Sequence, residues 1–338
     1  KRIPGKTENP EKARRKNRKR VKEVRMMRSR GRLFYGIISL CMTAVLLLSS
    51  APVPVLAEEA SNDGTVIEVG CEQDLLDLAK NCKLNSYSLG KTVELTADIQ
   101  VYSPNFSGIP FFNGTFHGNG HTISGISISG KGSNQGFFRY LGNQALVSDL
   151  NISGAVAPSG TQENIGGIAG SNYGTISGCS FVGSVSGETN VGGIAGTNKS
   201  TGKIVKSTSR TVVMAVSQTG GIAGNNEGLI ADSSNESSVN VDVLEPSLDL
   251  GGIDLGTLNL AKTVINRTNM GGIAGTSTGI ISGCQNLGTI GYEHSGYNVG
   301  GIAGRQNGIV TNCENRGVIY GRKDVGGIAG QAQPYLEW

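Results

Sequence analysis

Two histidines, His117 and His121, have a spacing that could support chemistry, with three residues between them. Two imidazoles so placed could ligate a metal ion if one helix carried both. The intervening residues are Gly118, Asn119 and Gly120, which form turns rather than helices. We therefore expect the two histidines to flank a turn beside a strand and not to form a metal site.

Acidic residues are the second group with chemical potential, and they cluster at Asp242, Glu245, Asp249 and Asp254. Such carboxylates could bind calcium, but no ordered Asp-x-Asp-x-Asp loop is present. His294 stands in a segment that we expect to be a solvated loop. The sequence thus predicts no catalytic, cofactor-binding or metal-binding residue.

Three of the six cysteines recur at one place in a repeated segment. With two extra residues allowed in one repeat, the column reads Cys179, Ser207, Ser233, Cys284 and Cys313. Because cysteine and serine alternate there, we interpret the column as a slot for a small side chain against the interior. The alternative is three thiols that bind one metal ion, although two serine-bearing turns would separate Cys179 from the other pair.

Two further cysteines fall on a predicted helix over residues 71–82. Cys71, Leu75, Leu78 and Cys82 follow helical spacing and form one apolar stripe. On an intact helix the two cysteines would lie about 16 Å apart, whereas a disulfide tolerates only about 7 Å between Cα atoms. We expect both cysteines to face the core without a bridge.

The positions of these residues are set by a repeat. Gly-Gly-Ile-Ala-Gly occurs six times, and its copies begin at Gly166, Gly192, Gly220, Gly271, Gly300 and Gly326. The steps are 26, 28, 51, 29 and 26 residues, and the long step contains a degenerate copy, Gly251-Gly252-Ile253-Asp254. Such a period predicts a solenoid in which each repeat is one turn. A phosphate-binding glycine loop occurs once, between a strand and a helix, so these glycines indicate architecture.

Short segments with apolar residues at alternate places follow each pentapeptide, which is the period of a strand. We predict an all-β fold: a right-handed parallel β-helix with three short strands per turn and turns about 4.8 Å apart. Stacking then predicts two buried ladders, each side chain of which contributes about 1.5–3 kcal/mol. The first ladder is Ile168, Ile194, Ile222, Ile273, Ile302 and Ile328. The second is Ile176, Ile204, Ile230, Ile281 and Val310.

The beginning of the chain predicts export. Residues 1–32 hold 15 Lys and Arg against 3 Glu, and an apolar run from Leu33 to Leu48 and a small-residue segment ending at Ala57 follow. This order is typical of a secretory signal peptide. An uncleaved membrane anchor is the alternative, and the basic stretch then fits the positive-inside rule. We expect a secreted or cell-surface protein that contacts membrane only through this apolar segment.

Charge changes sharply after the leader. From Glu58 onward there are 15 Lys and Arg against 23 Asp and Glu, a net charge of −8, which argues against nucleic acid as a partner. The predicted organisation is a basic region (1–32), a signal peptide or anchor helix (33–57), a linker and amphipathic capping helix (58–88), the first β-helix turns (89–162) and the regular repeats (163–338).

Four sequence features, in this order, resemble a known family. They are the leucine-rich helix at 71–82, Leu-Thr-Ala-Asp-Ile at 95–99, Phe-x-Gly-Thr-Phe-x-Gly-x-Gly-His-Thr-Ile at 112–123, and the repeated pentapeptide. This resembles bacterial secreted and surface proteins with GLUG-motif repeats, named for Gly-Leu-any-Gly, although the copies here read Gly-Ile-Ala-Gly. The resemblance covers about residues 70–338.

The resemblance implies a β-helix stalk or display region within larger exported proteins, including the amino-terminal part of some bacterial immunoglobulin A proteases. It implies no catalytic residues within the repeats. The zinc-binding His-Glu-x-x-His helix of those proteases is absent from this sequence.

Two classes of function follow. The first is a non-catalytic surface module for display, adhesion or ligand binding, whose partner would be an extracellular glycan, the cell wall or a host protein. The second is a polysaccharide lyase or glycosidase, which needs carboxylates gathered on one face; no acidic column aligns between the regular repeats, and we favour the first. Segments that break a repeat often form its binding face, so we predict partner contacts at 231–268 and Tyr292–Tyr297. No cofactor or oligomer is implied.

Overall fold

The computed structural model describes residues 64–160, 162–241 and 267–333. The chain divides into two compact units, Lys1–Glu59 and Ala60–Trp338, and every described residue belongs to the second. The predicted leader lies outside the described residues. Within the described ranges, no helix has both the length and the apolar character needed to cross a membrane.

The described residues form one α-helix, α1 (Glu72–Asn81), and thirty short strands. The first strands are β1 (Val66–Val69), β2 (Thr92–Leu95), β3 (Ile99–Gln100), β4 (Thr115–His117), β5 (Thr122–Ile128), β6 (Phe138–Leu141), β7 (Leu146–Ser148) and β8 (Asn151–Val156). The regular turns before the long step contain β9 (Glu163–Gly166), β10 (Ala169–Asn172), β11 (Thr175–Ser177), β12 (Ser180–Ser186), β13 (Thr189–Gly192), β14 (Ala195–Asn198), β15 (Lys203–Val205), β16 (Thr208–Met214), β17 (Ser217–Gly220), β18 (Ala223–Asn226), β19 (Leu229–Ala231) and β20 (Ser234–Asn235). The turns after it contain β21 (Thr268–Gly271), β22 (Ala274–Ser277), β23 (Ile280–Ser282), β24 (Gln285–Asn286), β25 (Tyr297–Gly300), β26 (Ala303–Gln306), β27 (Ile309–Thr311), β28 (Glu314–Asn315), β29 (Lys323–Gly326) and β30 (Ala329–Ala332).

The strands stack into four sheets of a parallel β-solenoid. Sheet 1 has the order β1-β2-β4-β7-β11-β15-β19-β23-β27, sheet 2 the order β28-β24-β20-β16-β12-β8-β5-β3, sheet 3 the order β30-β26-β22-β18-β14-β10-β6, and sheet 4 the order β29-β25-β21-β17-β13-β9. Since each turn adds one strand to sheet 1, its nine strands in the described part of the chain indicate about nine turns.

Each regular turn contains four strands, not the three that the sequence predicted. The difference arises inside the repeated pentapeptide, because β9 ends at Gly166 and β10 begins at Ala169. The residues between them, Gly167 and Ile168, turn the chain from sheet 4 to sheet 3. A Cβ on Gly167 would meet the Phe181 ring and the Gly193 carbonyl oxygen, so this corner requires glycine for close approach.

The long step is an insertion within a turn. Strands on its two sides pair directly: Gly220 of β17 is opposite Gly271 of β21, and Asn235 of β20 is opposite Asn286 of β24. The degenerate copy at 251–254 lies outside the described residues.

Both predicted ladders form the core. Along the first ladder, the backbone N–H of Ile168 donates to the carbonyl of Ile194 at 2.9 Å, and the same bond joins each later pair. Its members are fully buried except Ile328 in the last described turn, which is 42% exposed. In the second ladder Ile176 is opposite Ile204, and the register continues to Val310. The first ladder lines the corner between sheets 4 and 3, and the second ladder lies in sheet 1.

The core of the first turns is aromatic. Five phenylalanines are buried and their rings contact one another, with centroid separations of 4.9–6.4 Å: Phe106, Phe112, Phe116, Phe137 and Phe138. Phe116 is opposite Val147, which in turn is opposite Ile176. The aromatic cluster and the isoleucine ladder therefore belong to one hydrophobic core.

Helix α1 follows the edge strand of sheet 1, and it buries Leu75 and Leu78 as the periodicity predicted. Cys82 is also buried, but the expectation for Cys71 was wrong: Cys71 is exposed because it occupies the N-cap, outside the helical stripe. The five described cysteines are all free thiols. At the first residue of the helix, Glu72 Oε1 accepts the backbone N–H groups of Tyr102 and Ser103 at 2.8 and 2.6 Å, which ties the helix to the first turns.

Candidate ligand-binding surface

The predicted contact regions meet at one column of the solenoid. Val239, Ile290 and Ile319 stack as parallel bridges in consecutive turns, and all three side chains pack in or against the core. Of the residues that follow them, Asn240 is buried, whereas Tyr320 is 38% exposed. This stacking brings Val241, at the end of one described range, beside the segment that begins at Gly291.

A surface groove of about 280 Å³ lies at this column. Its walls are contributed by Val241, Thr289, Gly291, Tyr292, Glu293 and Tyr320. Tyr292 and Tyr320 are 45% and 38% exposed, so each ring has both a packed and a free portion. A tyrosine in this setting offers an apolar face together with a hydroxyl group.

Gly291, in the wall of the groove, is a position that requires glycine. Its φ is +78°, and its N–H donates to the Val239 carbonyl at 2.8 Å. A Cβ at this position would meet the carbonyl oxygen of Tyr320. Glycine is therefore required both for the left-handed conformation and for the close approach of the next turn.

The Tyr292–Tyr297 loop makes a tight turn at the rim. Ser295 N–H donates to the Tyr292 carbonyl at 3.2 Å, and His294 adopts φ +56° at the tip, where it is exposed as expected. At the end of this loop, the Arg322 guanidinium lies 5.9 Å from the centroid of the Tyr297 ring. The surface thus combines three tyrosines with one carboxylate, from Glu293, and one cation.

Chemically, this groove suits a polyhydroxylated ligand. Ring faces of Tyr292 and Tyr320 can pack against the C–H face of a sugar, while Thr289 and Glu293 provide groups that hydrogen-bond hydroxyls. Pockets that combine apolar walls with a few polar groups commonly bind small molecules or segments of a polymer.

The two histidines of the first turns do not form a pair. His117 Nδ1 is 2.8 Å from Ser148 Oγ, whereas His121 Nδ1 is 3.1 Å from Asp98 Oδ1. The Thr122 backbone N–H and then the His121 side chain hold the pKa of Asp98 below its usual value. His117 is the last residue of β4 and His121 directly precedes β5, and each makes its own hydrogen bond.

Four of the five side chains in the cysteine and serine column are buried and Cys313 is partly buried, which is the packing that the alternation of cysteine and serine predicted. Each side chain donates to the carbonyl two residues before it: Cys179 to Ser177 at 3.3 Å, Ser207 to Val205 at 2.9 Å, Ser233 to Ala231 at 2.8 Å, Cys284 to Ser282 at 3.4 Å and Cys313 to Thr311 at 3.2 Å. In the part of the chain that the structure describes, no three His, Cys, Asp or Glu side chains are grouped so as to hold a metal ion. Burial raises the pKa of the Cys179 thiol to about 12, so this thiol is uncharged near neutral pH.

The acidic cluster Asp242, Glu245, Asp249 and Asp254 lies outside the described residues, as does most of the predicted contact segment 231–268. Sequence reasoning found Tyr292 and Glu293 but missed Thr289 and Tyr320. A signal for Tyr320 was present, because one repeat of 29 residues separates it from Gly291. Only the observed stacking shows that the two positions are neighbours.

Comparison with known proteins gives a fold and a short sequence match. No family model matches the chain. A segment of 77 residues, 22% of the chain, is 35% identical to Halomucin of Haloquadratum walsbyi, and the match spans 1% of that protein's length.

Among solved structures, the chain is similar to a crystal structure described as "a putative immunoglobulin A1 protease" from Bacteroides ovatus. The TM-score is 0.57 at 18% sequence identity, over 79% of this chain and 84% of the other. This likeness shows the parallel β-solenoid fold alone.

Proposed function

We propose that this protein is a non-catalytic, extracellular or cell-surface β-solenoid module of a larger exported protein, and that it binds a polysaccharide. The groove between Tyr292 and Tyr320 is the observation that carries the proposal. It combines partly exposed aromatic rings with hydrogen-bonding groups at the place where the repeat is interrupted. A polysaccharide repeats along its length, as the turns of a solenoid do.

Export is supported by the basic and apolar segments within residues 1–57. The partial match to Halomucin and the solenoid shared with the Bacteroides ovatus protein agree with a place outside the cell. As part of the same proposal, the protein is related to the GLUG-repeat surface proteins that its sequence resembles. Helix α1 covers the open end of the first turn.

Binding of the full chain to a panel of immobilised acidic and neutral polysaccharides tests this function. We expect one class of polysaccharide to bind, and we expect Tyr292→Ala and Tyr320→Ala each to weaken binding about tenfold, which corresponds to about 1.4 kcal/mol. Tyr102→Ala is the matched control, because Tyr102 is 80% exposed and lies in the first turns, away from the groove.

A depolymerisation assay on the same panel separates this proposal from a lyase or glycosidase. Binding without release of shorter chains is the expected result. Turnover of any polysaccharide would overturn the non-catalytic assignment. Absence of binding to the whole panel, or binding that neither groove variant weakens, would contradict the role of the groove.

A further inference from the structure

Cys284 and Cys313 occupy the same place in consecutive turns. Residues on either side of them are register partners, since Ser282 is opposite Thr311 and Gln285 is opposite Glu314. The Glu314 N–H also donates to the Cys284 carbonyl at 2.9 Å. Neighbouring parallel strands place such partners about 4.8 Å apart, within the range of about 4.4–6.8 Å that a disulfide accommodates between Cα atoms.

The two thiols are also directed the same way. Each donates to the carbonyl two residues before it and lies 3.7 Å from a carbonyl of the preceding turn, Ile230 for Cys284 and Ile281 for Cys313. The Cys284 thiol beside Cys313 lowers the pKa of the Cys313 thiol, whereas the pKa of Cys284 is raised by Cys313 and by its own burial. Cys179 has no such neighbour among the described residues of its column, because Ser207 occupies the next turn.

The two sulfurs differ in their exposure to solvent. Cys284 is fully buried, whereas Cys313 is partly exposed. An oxidant can therefore reach the Cys313 thiol first. Cys284, in the neighbouring turn, then acts as the resolving thiol.

From this arrangement we infer that Cys284 and Cys313 form a reversible disulfide that links two consecutive turns of the solenoid. The oxidant is a low-molecular-weight disulfide such as glutathione disulfide. The Cys313 thiolate attacks one sulfur of the oxidant, which forms a mixed disulfide and releases one thiolate. The thiolate released in the first step takes the proton of the Cys284 thiol, and the Cys284 sulfur attacks Cys313 Sγ. The bond between Cys313 and the small thiol breaks, the protein disulfide forms, and the second small thiolate leaves and is protonated by solvent. Two protein thiols are oxidised, and one small disulfide is reduced to two thiols.

Peptide mapping of the full chain tests the inference. The protein is incubated with glutathione disulfide or with a reductant, its free thiols are alkylated under denaturing conditions, and the digest is analysed by mass spectrometry. Oxidation should yield a cross-linked peptide pair that contains Cys284 and Cys313, and both cysteines should be lost from the alkylated fraction. Addition of reductant should restore them.

Serine variants provide matched controls, because the chain already carries serine in this column at Ser207 and Ser233 and both hydroxyls make the equivalent hydrogen bond. Cys313→Ser should fold, as judged by its circular dichroism, and should abolish the cross-link. Cys179→Ser should leave the cross-link unchanged. Full alkylation of both cysteines after oxidation, or recovery of Cys313 only as a mixed disulfide with glutathione, would overturn the inference.

Discussion

The side-chain amide of Asn198 donates a 2.8 Å hydrogen bond to Oδ1 of Asn226 in the next turn, and both side chains are fully buried. Asn172 donates to Asn198 in the same way at 2.8 Å, and Asn226 donates to Ser277 at 3.1 Å. Burial of an amide is costly unless its polar atoms find partners. Asn198 and Asn226 therefore each make side-chain hydrogen bonds to the turns on both sides.

Replacement of Asn198 by alanine should interrupt the ladder. Because Asn172 and Asn226 would each lose a buried partner, we expect the free energy of unfolding to fall by about 2–3 kcal/mol. Asn198→Ser should lower the free energy of unfolding by less, because serine already occupies this column at Ser277 and accepts a hydrogen bond from Asn226. Denaturant titration of the two variants measures the difference, and an alanine variant as stable as the serine variant would contradict the ladder's contribution.

The isoleucine ladder should be sensitive to position. Ile194 is fully buried, so Ile194→Ala should lower the free energy of unfolding by about 2–5 kcal/mol. Ile328 stands in the same ladder but is 42% exposed in the last described turn, so in the 338-residue chain Ile328→Ala should lower the free energy of unfolding by less than about 1 kcal/mol. Equal losses in the two variants, measured by the same denaturant titration, would refute the assignment of Ile328 to an exposed turn.

Corner glycines provide a steric test with an internal control. A Cβ on Gly193 would meet Ser209 Oγ and the Gly221 carbonyl oxygen, whereas a Cβ on Gly327, in the last described turn, meets no atom within 4 Å. Gly193→Ala should therefore destabilise the protein by about 3 kcal/mol or more. Gly327→Ala should be close to neutral. The midpoints of thermal unfolding of the two variants measure this difference. A Gly193→Ala variant as stable as the native protein would show that the turns are less closely stacked than described.

Asp74 should make stability depend on acid pH. Its carboxylate accepts the backbone N–H groups of Gly70 at 3.0 Å and Cys71 at 3.1 Å, and the Gly70 bond is the main cause that lowers its pKa. A group with a lowered folded pKa stabilises the fold above its unfolded pKa, about 3.9 for aspartate, and this contribution is lost as the pH falls through the folded value.

We therefore expect Asp74→Asn to be less stable than the native protein at pH 6, with the difference shrinking below about pH 4. The midpoint of thermal unfolding across this pH range measures the effect. Asp77→Asn removes a charge from the same helix and serves as the control. A difference between Asp74→Asn and the native protein that stays constant down to pH 2 would exclude the capping contribution.

Much of the fold could be predicted from the sequence because stacking repeats side chains at a fixed period. The columns of stacked side chains that begin at Ile168, Ile176 and Cys179 could be read from the period of the repeat alone. The division of each turn into four strands could not be predicted, because the alternation of apolar and polar residues does not show that the chain bends at Gly167. Left-handed residues such as Asn190, at φ +56°, were also missed, since their role depends on hydrogen bonds to the neighbouring turn, such as the 2.9 Å bond to Asn164.

The candidate groove was only half predictable for the same reason. Tyr292 and Glu293 stand out as a break in the repeat, and they are adjacent in sequence. Tyr320 becomes their neighbour only through the bridges that stack Ile290 on Ile319. Contacts between turns depend on register, and register across an interruption is fixed by the three-dimensional core rather than by local sequence.

Hydrogen–deuterium exchange of the full chain, with and without the polysaccharide that binds it most tightly in the panel, tests the central claim most directly. If the groove is the binding surface, amides of residues 289–293 and 319–322 should exchange more slowly in the complex, and Tyr292→Ala should abolish that protection. Protection confined to other turns, with exchange at these two segments unchanged, would show that the polysaccharide is bound elsewhere and would contradict the account.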